Sequence, residues 1–351
     1  MAFLPESSSA IHAVDQLLAD VGLTHGRRKV MRAAVERQVR HPMQLAEEQH
    51  ATPGLRKNGL EVLRSPVLEE VPGLISGFST RTGGKSQIFS HGHRVGELNL
   101  GFSASDERRN VLANRRLFLR RVAGSTEVPL VLLKQIHSSL IRTVTREDAG
   151  ETAKLSGDGM MTAEPGILLA IQTADCIPVL IADRKRRVVA AFHAGWRGTL
   201  KRIAENGVGR MRVEFGSNPK DLVAAIGPGI GQCCYAVGEE VRSEFSSQFA
   251  YADDLFRDVY DSDPVKEKYP LLFLTARAPG HSNIGPSLHL DLKEANRRQL
   301  LDAGLKPEAI SVAGQCTSCQ NQRFFSYRAD HGFTGRMLSV IGFRAVSKEA
   351  C

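Results

Sequence analysis

A cysteine and a histidine at the open end of a predicted β-hairpin are placed to do chemistry together. Two apolar runs separated by four charged residues predict two strands joined by a tight turn. If Asp183 pairs with Val188 across this turn, Pro178 lies opposite His193. Cys176 precedes Pro178 by two positions. We therefore expect Cys176 and His193 to converge, although they are 17 positions apart in the sequence.

His137 is a third candidate ligand, because it follows the predicted strand Leu130–Ile136. Two histidines and one cysteine are a donor set suited to a catalytic zinc site with an open fourth position. Such a site lowers the pKa of bound water or polarises a substrate oxygen. The same residues fit a metal-free alternative, in which Cys176 is a thiolate nucleophile and His137 or His193 is its base. Residue types alone leave both chemistries open.

Glycine-rich turns that carry arginines are the candidate anion-binding segments. Residues 193–198 (HAGWRG) form a strand-to-helix corner, where the glycines permit a sharp turn and the first helical amides can face a ligand. Residues 77–84 join Arg81 to a glycine-rich turn suited to an anionic oxygen. Two further polar segments, residues 324–328 and 334–336, fit either a binding loop or a solvated loop.

The other five cysteines carry weaker signals. Cys316 and Cys319 form a C-x-x-C pair, but no second C-x-x-C follows, and the strand–helix context of a thioredoxin-like pair is lacking. We interpret this pair as structural or incidental. The adjacent Cys233 and Cys234 are expected in the core or at its rim, and Cys351, at the last position, is expected to be inert.

Short strands and a few helices must position these residues. Apolar runs predict strands at Leu130–Ile136, Ile167–Gln172, Pro178–Ala182, Val188–His193, Leu222–Ile226, Ile310–Ala313 and Met337–Phe343. Helical periodicity predicts helices at Ser105–Arg121, Thr199–Glu214, Glu239–Gln248 and Leu292–Ala303. We expect side-chain oxygens of residues 103–106 to cap the first helix. Because many strands follow one another without a helix between them, the pattern favours α+β with antiparallel or mixed sheets over a doubly wound parallel sheet.

The chain divides into an N-terminal extension and a larger domain. Two stretches with helical periodicity, Ile11–Gly22 and Lys29–Val39, precede a break that contains proline and glycine. We predict a helical, partly mobile extension over residues 1–65 and a compact domain over residues 66–351. Within that domain, the segment Tyr251–His281 is rich in Asp and Pro, and we expect it to be an irregular surface excursion.

Composition restricts the class of protein. The 351 residues are 42% hydrophobic and 24% charged, which is typical of globular domains. The sequence contains no run of about 18 apolar residues, so it predicts no membrane-spanning helix. Six irregularly spaced cysteines favour a reducing compartment, so we expect a cytoplasmic protein without a membrane partner. The net charge of +8 attracts anions, but the densest basic run, residues 184–187, lacks interleaved aromatic residues and predicts a solvated turn rather than a nucleic-acid site.

Several segments together resemble one known family. The similarity is carried by residues 77–86 (GFSTRTGGKS), 99–100 (NL), 110–117 (NVLANRRL), 135–138 (QIHS), 173–176 (TADC), 193–198 (HAGWRG), 226–230 (IGPGI) and 325–336 (FSYRADHGFTGR). In this order they are similar to the YfiH-type family. Its members are also called multicopper polyphenol oxidases or laccase-domain proteins, and are described as purine nucleoside phosphorylases. The resemblance extends from about residue 67 to residue 343, and TADC followed by HAGWRG is its most specific part.

The resemblance implies a fold and a metal. The fold would be a four-layer α/β/β/α sandwich with mixed sheets, related to the toxin deamidase fold of the cytotoxic necrotizing factor type. The family's two histidines and one cysteine match His137, Cys176 and His193, which implies a zinc site there, with copper as the alternative metal. A true multicopper oxidase is disfavoured, because it needs several histidine-rich clusters and the chain offers one three-ligand set.

The resemblance also implies an enzyme that acts on purine nucleosides and phosphate. The implied activities are phosphorolysis of adenosine, inosine, guanosine and methylthioadenosine to base and ribose-1-phosphate, together with adenosine deamination. Arg81 and Arg197 are candidates to hold phosphate, and Asp158 is a candidate to contact substrate. Asp175 and Asp158 are also candidates to move protons or orient a ligand. The alternatives are a metal-free cysteine amidohydrolase or deamidase that uses Cys176, a copper-dependent polyphenol oxidase, and a non-catalytic interaction module. The preferred nucleoside and the oligomeric state stay open.

Overall fold

The computed structural model describes residues 59–89, 96–259 and 287–345, and these form sixteen strands and six helices. The strands are β1 (Val62–Leu63), β2 (Leu74–Ser79), β3 (Thr82–Ser86), β4 (Leu130–Lys134), β5 (Ile141–Thr143), β6 (Leu155–Ser156), β7 (Gly159–Thr162), β8 (Leu168–Thr173), β9 (Ile177–Asp183), β10 (Val189–Ala194), β11 (Leu222–Ile226), β12 (Ala236–Val237), β13 (Phe256–Val259), β14 (Ser287–Leu290), β15 (Ile310–Val312) and β16 (Met337–Phe343). The helices are α1 (Pro66–Glu69), α2 (Arg108–Ala123), α3 (Trp196–Leu200), α4 (Ile203–Phe215), α5 (Glu239–Gln248) and α6 (Leu292–Asp302).

Two six-stranded sheets form the centre of the domain. The first sheet has the order β1-β2-β16-β8-β4-β6, and the second has the order β15-β11-β9-β10-β7-β5. Each sheet is mixed: β8 pairs antiparallel with β16 and parallel with β4, and β7 pairs antiparallel with β10 and parallel with β5. A small third sheet has the order β12-β14-β13.

The alternation of side chains along β8 shows how the layers stack. Leu169 and Ile171 belong to the apolar cluster between the two sheets, where they share a core with Leu180 of β9. Leu168 belongs instead to the cluster on the other face of the first sheet, together with Phe118 of α2. Successive residues of a strand point to opposite faces, so one strand serves two cores. The layers are therefore helix, sheet, sheet and helix.

The outer face of the second sheet packs against α4 and α6. Phe192 of β10, Met211 of α4 and Leu300 of α6 are buried in one cluster. A Cβ atom on Gly207 of α4 would lie only 2.2 Å from Cζ of Phe192, so the helix approaches the sheet at a position where a side chain does not fit. This layer completes an α/β/β/α sandwich with mixed sheets, which confirms the predicted α+β fold class.

The predicted register of the β9–β10 hairpin is confirmed. The Asp183 amide donates to the carbonyl of Val188 at 2.8 Å, and His193 is paired with Pro178. The pairing continues one residue further along both strands, which brings the start of β9 and the end of β10 to one edge. Cys176 lies immediately before β9 and therefore at this edge.

The predicted helix Thr199–Glu214 is broken into α3 and α4. Arg202, between them, has a φ of 58°, and its Nη2 donates to the carbonyl of Gln248 at 2.6 Å. The Gln299 side-chain amide donates to the carbonyl of Thr199 at 2.7 Å. These partners come from α5 and α6, so contacts with other helices stabilise the corner, and local periodicity does not predict it.

The predicted cap of the first long helix is wrong. Helix α2 begins at Arg108 with no side-chain hydrogen bond at its N-cap. The carboxylate of Asp106 instead accepts hydrogen bonds from the Ser86 hydroxyl at 2.6 Å and from the Asn99 amide at 2.7 Å. Buried partners from elsewhere in the chain have displaced the local capping bond.

Two predicted segments fall partly outside the described residues. Within Tyr251–His281, residues 251–259 are regular rather than irregular, because β13 pairs with β14. The predicted extension over residues 1–65 lies almost wholly outside the described residues, and its division from residues 66–351 stays a prediction. At its end, β1 pairs with β2 in the first sheet. No helix in the described part of the chain is long and apolar enough to span a membrane.

Candidate functional site

Three predicted ligands meet at one edge of the sandwich. One ligand atom each from His137, Cys176 and His193 lies within 4.8 Å of the other two. Cys176 Sγ is 3.9 Å from His137 Nε2, and the two imidazole ring centroids are 4.9 Å apart. The structure therefore brings together side chains that the sequence separates by up to 56 positions.

Both sheets contribute to this cluster. His137 lies in the loop after β4 of the first sheet, whereas Cys176 and His193 lie at the start of β9 and on β10 of the second sheet. The cluster thus sits where the ends of the two sheets meet, and strand pairing within one sheet could not have placed His137 there.

Asp158 holds the two histidines in position. It is fully buried, and its Oδ1 is 2.8 Å from Nδ1 of His193. Its carboxylate also accepts hydrogen bonds from the amides of Ile136, His137 and Ser138 at 3.2, 3.0 and 2.6 Å. These bonds stabilise the left-handed backbone of His137, whose φ is 55°. Because Nδ1 of His193 is engaged, its Nε2 is the nitrogen that can bind a metal.

The expected role of Asp158 must be corrected in part. We expected it to contact substrate or to orient a ligand. Complete burial and a fully occupied carboxylate exclude contact with substrate, whereas the bond to His193 leaves the ligand-orienting role.

The electrostatics of the cluster favour a thiolate beside a charged imidazole. Burial raises the pKa of Asp158, but hydrogen bonds from His193 and Ser138 outweigh burial and lower it to about 2. Burial lowers the pKa of His193, but the thiolate of Cys176 and the bond to Asp158 raise it to about 9. Burial raises the pKa of Cys176, but the charge of His193 and a hydrogen bond from His137 lower it to about 6. A bound cation would find this sulfur already ionised.

Gly195, which follows β10, packs closely against two of the three ligands. A Cβ atom at this position would lie 3.1 Å from Cys176 Sγ and 3.2 Å from Cδ2 of His137. The glycine therefore serves close approach to the ligands. Helix α3, which follows, has only five residues. Its amides give a much weaker anion site than the long helix predicted from the sequence would have given.

Asp175 positions the loop that carries Cys176. Its φ is 93°, and its Oδ1 accepts hydrogen bonds from the hydroxyls of Thr317 at 2.6 Å and Ser326 at 2.7 Å. Its Oδ2 accepts the amide of Arg328 at 2.7 Å. With both oxygens engaged, the carboxylate is better suited to holding loops beside Cys176 than to transferring protons.

Arg81 is not placed to bind phosphate in the cavity, contrary to the sequence-based expectation. It is 5% exposed and is absent from the lining of the cavity described below. Its Nε contacts Glu97 at 2.8 Å, its Nη1 contacts Asp330 at 3.1 Å, and its Nη2 donates to the carbonyl of Phe89 at 2.6 Å. The guanidinium also lies over the ring of Phe325, with 4.9 Å from Cζ to the centroid. Every guanidinium nitrogen therefore has a partner within the protein. Arg81 forms buried structural ion pairs with Glu97 and Asp330.

A cavity of about 850 Å³ opens directly onto the His137, Cys176 and His193 cluster. Its walls combine aromatic and basic side chains, which are Phe102, Trp196, Tyr235, Tyr327, Lys134, Arg115, Arg197, Arg328 and Arg336. Aromatic faces suit a flat heterocyclic base, and guanidinium groups suit phosphate. Of the two predicted phosphate ligands, only Arg197 borders this cavity.

Sequence reasoning did not assign Arg328 and Arg336 a role. Nη2 of Arg328 donates to the carbonyl of Ala236 at 3.0 Å, and Nη1 of Arg336 donates to the carbonyl of Gly335 at 2.9 Å. Burial lowers the pKa of Arg336, although the nearby Cys176 raises it. The sequence indicated Arg328 and Arg336 only through their positions in the polar segments 324–328 and 334–336, which were candidate binding loops.

Sequence reasoning also missed a second group of potential ligands. One sulfur each from Cys233, Cys234, Cys316 and Cys319 lies within 4.8 Å of the others. The C-x-x-C pair was interpreted as structural or incidental because the sequence contains no second C-x-x-C motif to complete a metal site. The adjacent pair Cys233-Cys234 supplies the missing half through tertiary folding.

The fold and the cluster together define an α+β sandwich protein with a two-histidine, one-cysteine site at the base of a cationic, aromatic cavity. The family described as multi-copper polyphenol oxidoreductase laccase matches residues 75–344, and the chain belongs to this family.

Several known proteins are similar over most of the domain. The purine nucleoside phosphorylase YlmD of Geobacillus stearothermophilus is 36% identical over 78% of this chain and 91% of its own length. A purine nucleoside phosphorylase of Deinococcus radiodurans is 38% identical over 81% of this chain and 93% of its own length. The crystal structure of YlmD from Geobacillus stearothermophilus superposes with a TM-score of 0.65, covering 83% of this chain and 98% of that one at 33% identity.

Proposed function

We propose that this chain is a zinc-dependent purine nucleoside phosphorylase with adenosine deaminase activity. One observation carries the proposal: the two-histidine, one-cysteine cluster opens onto a cavity whose walls include several aromatic and basic side chains. The names of the similar proteins, which are purine nucleoside phosphorylases, support the same substrate class. The proposed substrates are adenosine, inosine, guanosine and methylthioadenosine, together with phosphate.

The donor set fits zinc. Two imidazole nitrogens and one thiolate are typical of catalytic zinc sites, and Asp158 behind His193 is the carboxylate partner that such ligands usually have. When bound, zinc would supply a Lewis acid with an open position toward the cavity. The same donors also occur in copper sites. Among the described residues, however, the other potential ligand group contains only cysteines, whereas a multicopper enzyme needs further histidine-rich sites.

Phosphorolysis requires that phosphate be held beside the sugar. A phosphate oxygen forms a bond to the anomeric carbon while the carbon–nitrogen bond to the base breaks, and the base takes up the electron pair and a proton. Arg197, Arg328 and Arg336 provide the positive charge to hold the anion. Trp196 and Tyr235 provide apolar faces against which the base can stack.

The direct test is incubation of the purified chain with adenosine, with and without inorganic phosphate. We expect ribose-1-phosphate only with phosphate, in an amount equal to the sum of adenine and hypoxanthine, and inosine without phosphate. Cys176→Ala and His193→Ala should each lose bound metal and turnover. Arg212→Gln, which removes an exposed charge of α4, is the control and should keep both. Normal phosphorolysis by metal-free variants, or no release of base by the metal-loaded chain, would refute the proposal.

The roles of the arginines give a second, quantitative prediction. Arg197→Gln and Arg328→Gln should raise the KM for phosphate about 10- to 100-fold, because a charge-assisted hydrogen bond is worth about 1.5–3 kcal/mol. The KM for nucleoside should change much less. Steady-state kinetics with phosphate and nucleoside varied separately measure both values, again with Arg212→Gln as control. Equal changes in the two KM values would contradict phosphate binding by these arginines.

A metal-free cysteine hydrolase is the second candidate. It is favoured by Cys176, whose pKa is lowered to about 6 and whose sulfur lies 3.9 Å from His137 Nε2. This candidate predicts full activity after chelation and complete loss of activity after alkylation of Cys176. Retained activity in fully demetallated protein would therefore support it against the zinc enzyme.

A further inference from the structure

Four cysteines outside the cavity converge on one point. Cys319 Sγ lies 3.3 Å from Cys233 Sγ and 3.3 Å from Cys234 Sγ. Together with Cys316, all four sulfurs lie within 4.8 Å of one another. Cys233 and Cys234 precede β12, and Cys316 and Cys319 follow β15. We call this group the four-cysteine cluster.

The spacing of the sulfurs matches a tetrahedral metal site. Four sulfurs at about 2.3 Å from a zinc ion lie about 3.8 Å from one another, which is inside the observed range. A disulfide would instead join two sulfurs at about 2.0 Å and leave the remaining thiols packed against it. Cys319 is equally near Cys233 and Cys234, so the geometry singles out no disulfide pair.

The surroundings of Cys316 suit negatively charged sulfur. Cys316 is buried, and its sulfur accepts hydrogen bonds from the amides of Gly231 at 3.2 Å and Cys319 at 3.5 Å. Such amide-to-sulfur bonds stabilise ligating thiolates. Lys293 is also buried, and its ammonium interacts electrostatically with the sulfurs of Cys316, Cys233 and Cys319. It donates to the carbonyl of Gln315 at 2.6 Å, directly before Cys316.

We propose that Cys233, Cys234, Cys316 and Cys319 bind a Zn²⁺ ion as a closed structural site, separate from the cluster in the cavity. Binding displaces the thiol protons to solvent and requires no oxidant or reductant. All four positions of the tetrahedron are filled by protein, so this zinc has no open position for substrate. The inference does not depend on the proposed function.

The site would secure one wall of the cavity. Tyr235 follows Cys234 in the sequence and lines the cavity. Thr317 lies between Cys316 and Cys319, and its hydroxyl donates to Asp175 beside Cys176. A zinc ion on the four-cysteine cluster therefore ties the 231–235 loop, which lines the cavity through Tyr235, to the 316–319 loop, which holds Asp175 beside Cys176.

The test is the number of zinc ions per chain in the intact protein, purified under reducing conditions and measured by plasma mass spectrometry and native mass spectrometry. We expect two zinc ions in the unaltered chain, one in Cys176→Ala and one in Cys319→Ala. Cys319 is exposed, which makes its loss easier to tolerate than that of buried Cys316. If the cavity cluster binds no metal, we expect one zinc that persists in Cys176→Ala and is lost in Cys319→Ala.

X-ray absorption at the zinc edge is the second measurement, and it does not depend on the folding of Cys319→Ala. In Cys176→Ala, the remaining zinc should have four sulfur neighbours at about 2.3 Å and no nitrogen neighbours. In the unaltered chain, the averaged shell should contain nitrogen only if the cavity cluster is also loaded. Two results would overturn the proposal: zinc without a four-sulfur shell, or a different metal in that shell. A disulfide within the cluster, found by non-reducing peptide mapping of protein alkylated at lysis and isolated without reductant, would also overturn it.

Discussion

A single buried carboxylate organises the candidate metal centre. Asp158 reaches His193 through a side-chain bond and His137 through a backbone bond, so it orients ligands from both sheets at once. Hydrogen bonds from His193 and Ser138 and the charge of His193 compensate its negative charge, which is why the pKa of Asp158 stays low despite burial. Loss of this charge should affect the metal site more than the fold.

Asp158→Asn should weaken metal binding about 10- to 100-fold, because the partner that fixes the orientation of His193 is altered. Competition with a chromophoric chelator measures this change. Asp183→Asn is the matched control: Asp183 is equally buried, but its carboxylate accepts amides of the hairpin turn, namely those of Lys185 and Arg186, at 2.9 Å. Equal losses of metal affinity in both variants would contradict the role of Asp158.

Gly195→Ala should disturb the metal centre with little effect on stability. The added Cβ atom meets Cys176 Sγ at 3.1 Å and His137 at 3.2 Å, so the ligands must shift by a few tenths of an ångström. The φ of Gly195 is −71°, which alanine adopts without strain. We expect weaker metal binding and lower turnover at nearly unchanged Tm. Unchanged metal affinity would show that the ligands do not need this space.

At the scale of elements, the contact between α4 and β10 shows how closely the layers fit. Phe192 of β10 fills the space above Gly207, so the glycine is required by the neighbouring sheet and not by the helix itself. Gly209 lies two positions later on the exposed side of the same helix, and a Cβ atom added there would meet no atom within 4 Å. Alanine substitutions at the two positions therefore report two different effects: overpacking against Phe192 at position 207, and helix propensity alone at position 209.

Gly207→Ala should lower the free energy of unfolding by about 1–3 kcal/mol, because the methyl group overpacks the interface with Phe192. Gly209→Ala should raise it by about 0.5–1 kcal/mol, because alanine is the better helix former and meets no obstacle. Urea unfolding of both variants measures these changes. If both variants changed stability in the same direction, the close approach of α4 to β10 would be contradicted.

At the scale of the whole molecule, the sandwich between residues 59 and 345 contains every residue assigned to the cavity and to both ligand clusters. The two sheets share one core and the helices cover their outer faces. The family match begins at residue 75. We therefore propose that the N-terminal segment is dispensable for the site.

A chain that starts at Asn58 should fold cooperatively, keep its bound metal and retain the turnover of the full chain. Calorimetry, metal analysis and nucleoside phosphorolysis of the two proteins side by side measure this. The physical reason is that β1 keeps its partner β2, so the first sheet keeps all six of its strands. Loss of metal or of cooperative unfolding would assign the N-terminal segment a structural role.

The sequence by itself determined the features that depend on local patterns. Strand alternation and turn length place His193 opposite Pro178, and the lack of helices between strands indicates mixed sheets. Strand ends at a common edge bring Cys176 and His193 together, so both could be proposed as ligands. His137 became the third candidate because it follows a predicted strand.

Only the tertiary structure decided the role of residues whose partners are far away in the sequence. Arg81 had the right type for phosphate, but Glu97 and Asp330 neutralise it in the core. Asp158 was a candidate for substrate and became the support of two histidines. The four cysteines form a cluster only because two loops meet. Periodicity reports which face of an element is buried, whereas the identity of a side chain's partner depends on how distant elements pack, and local sequence does not contain that information.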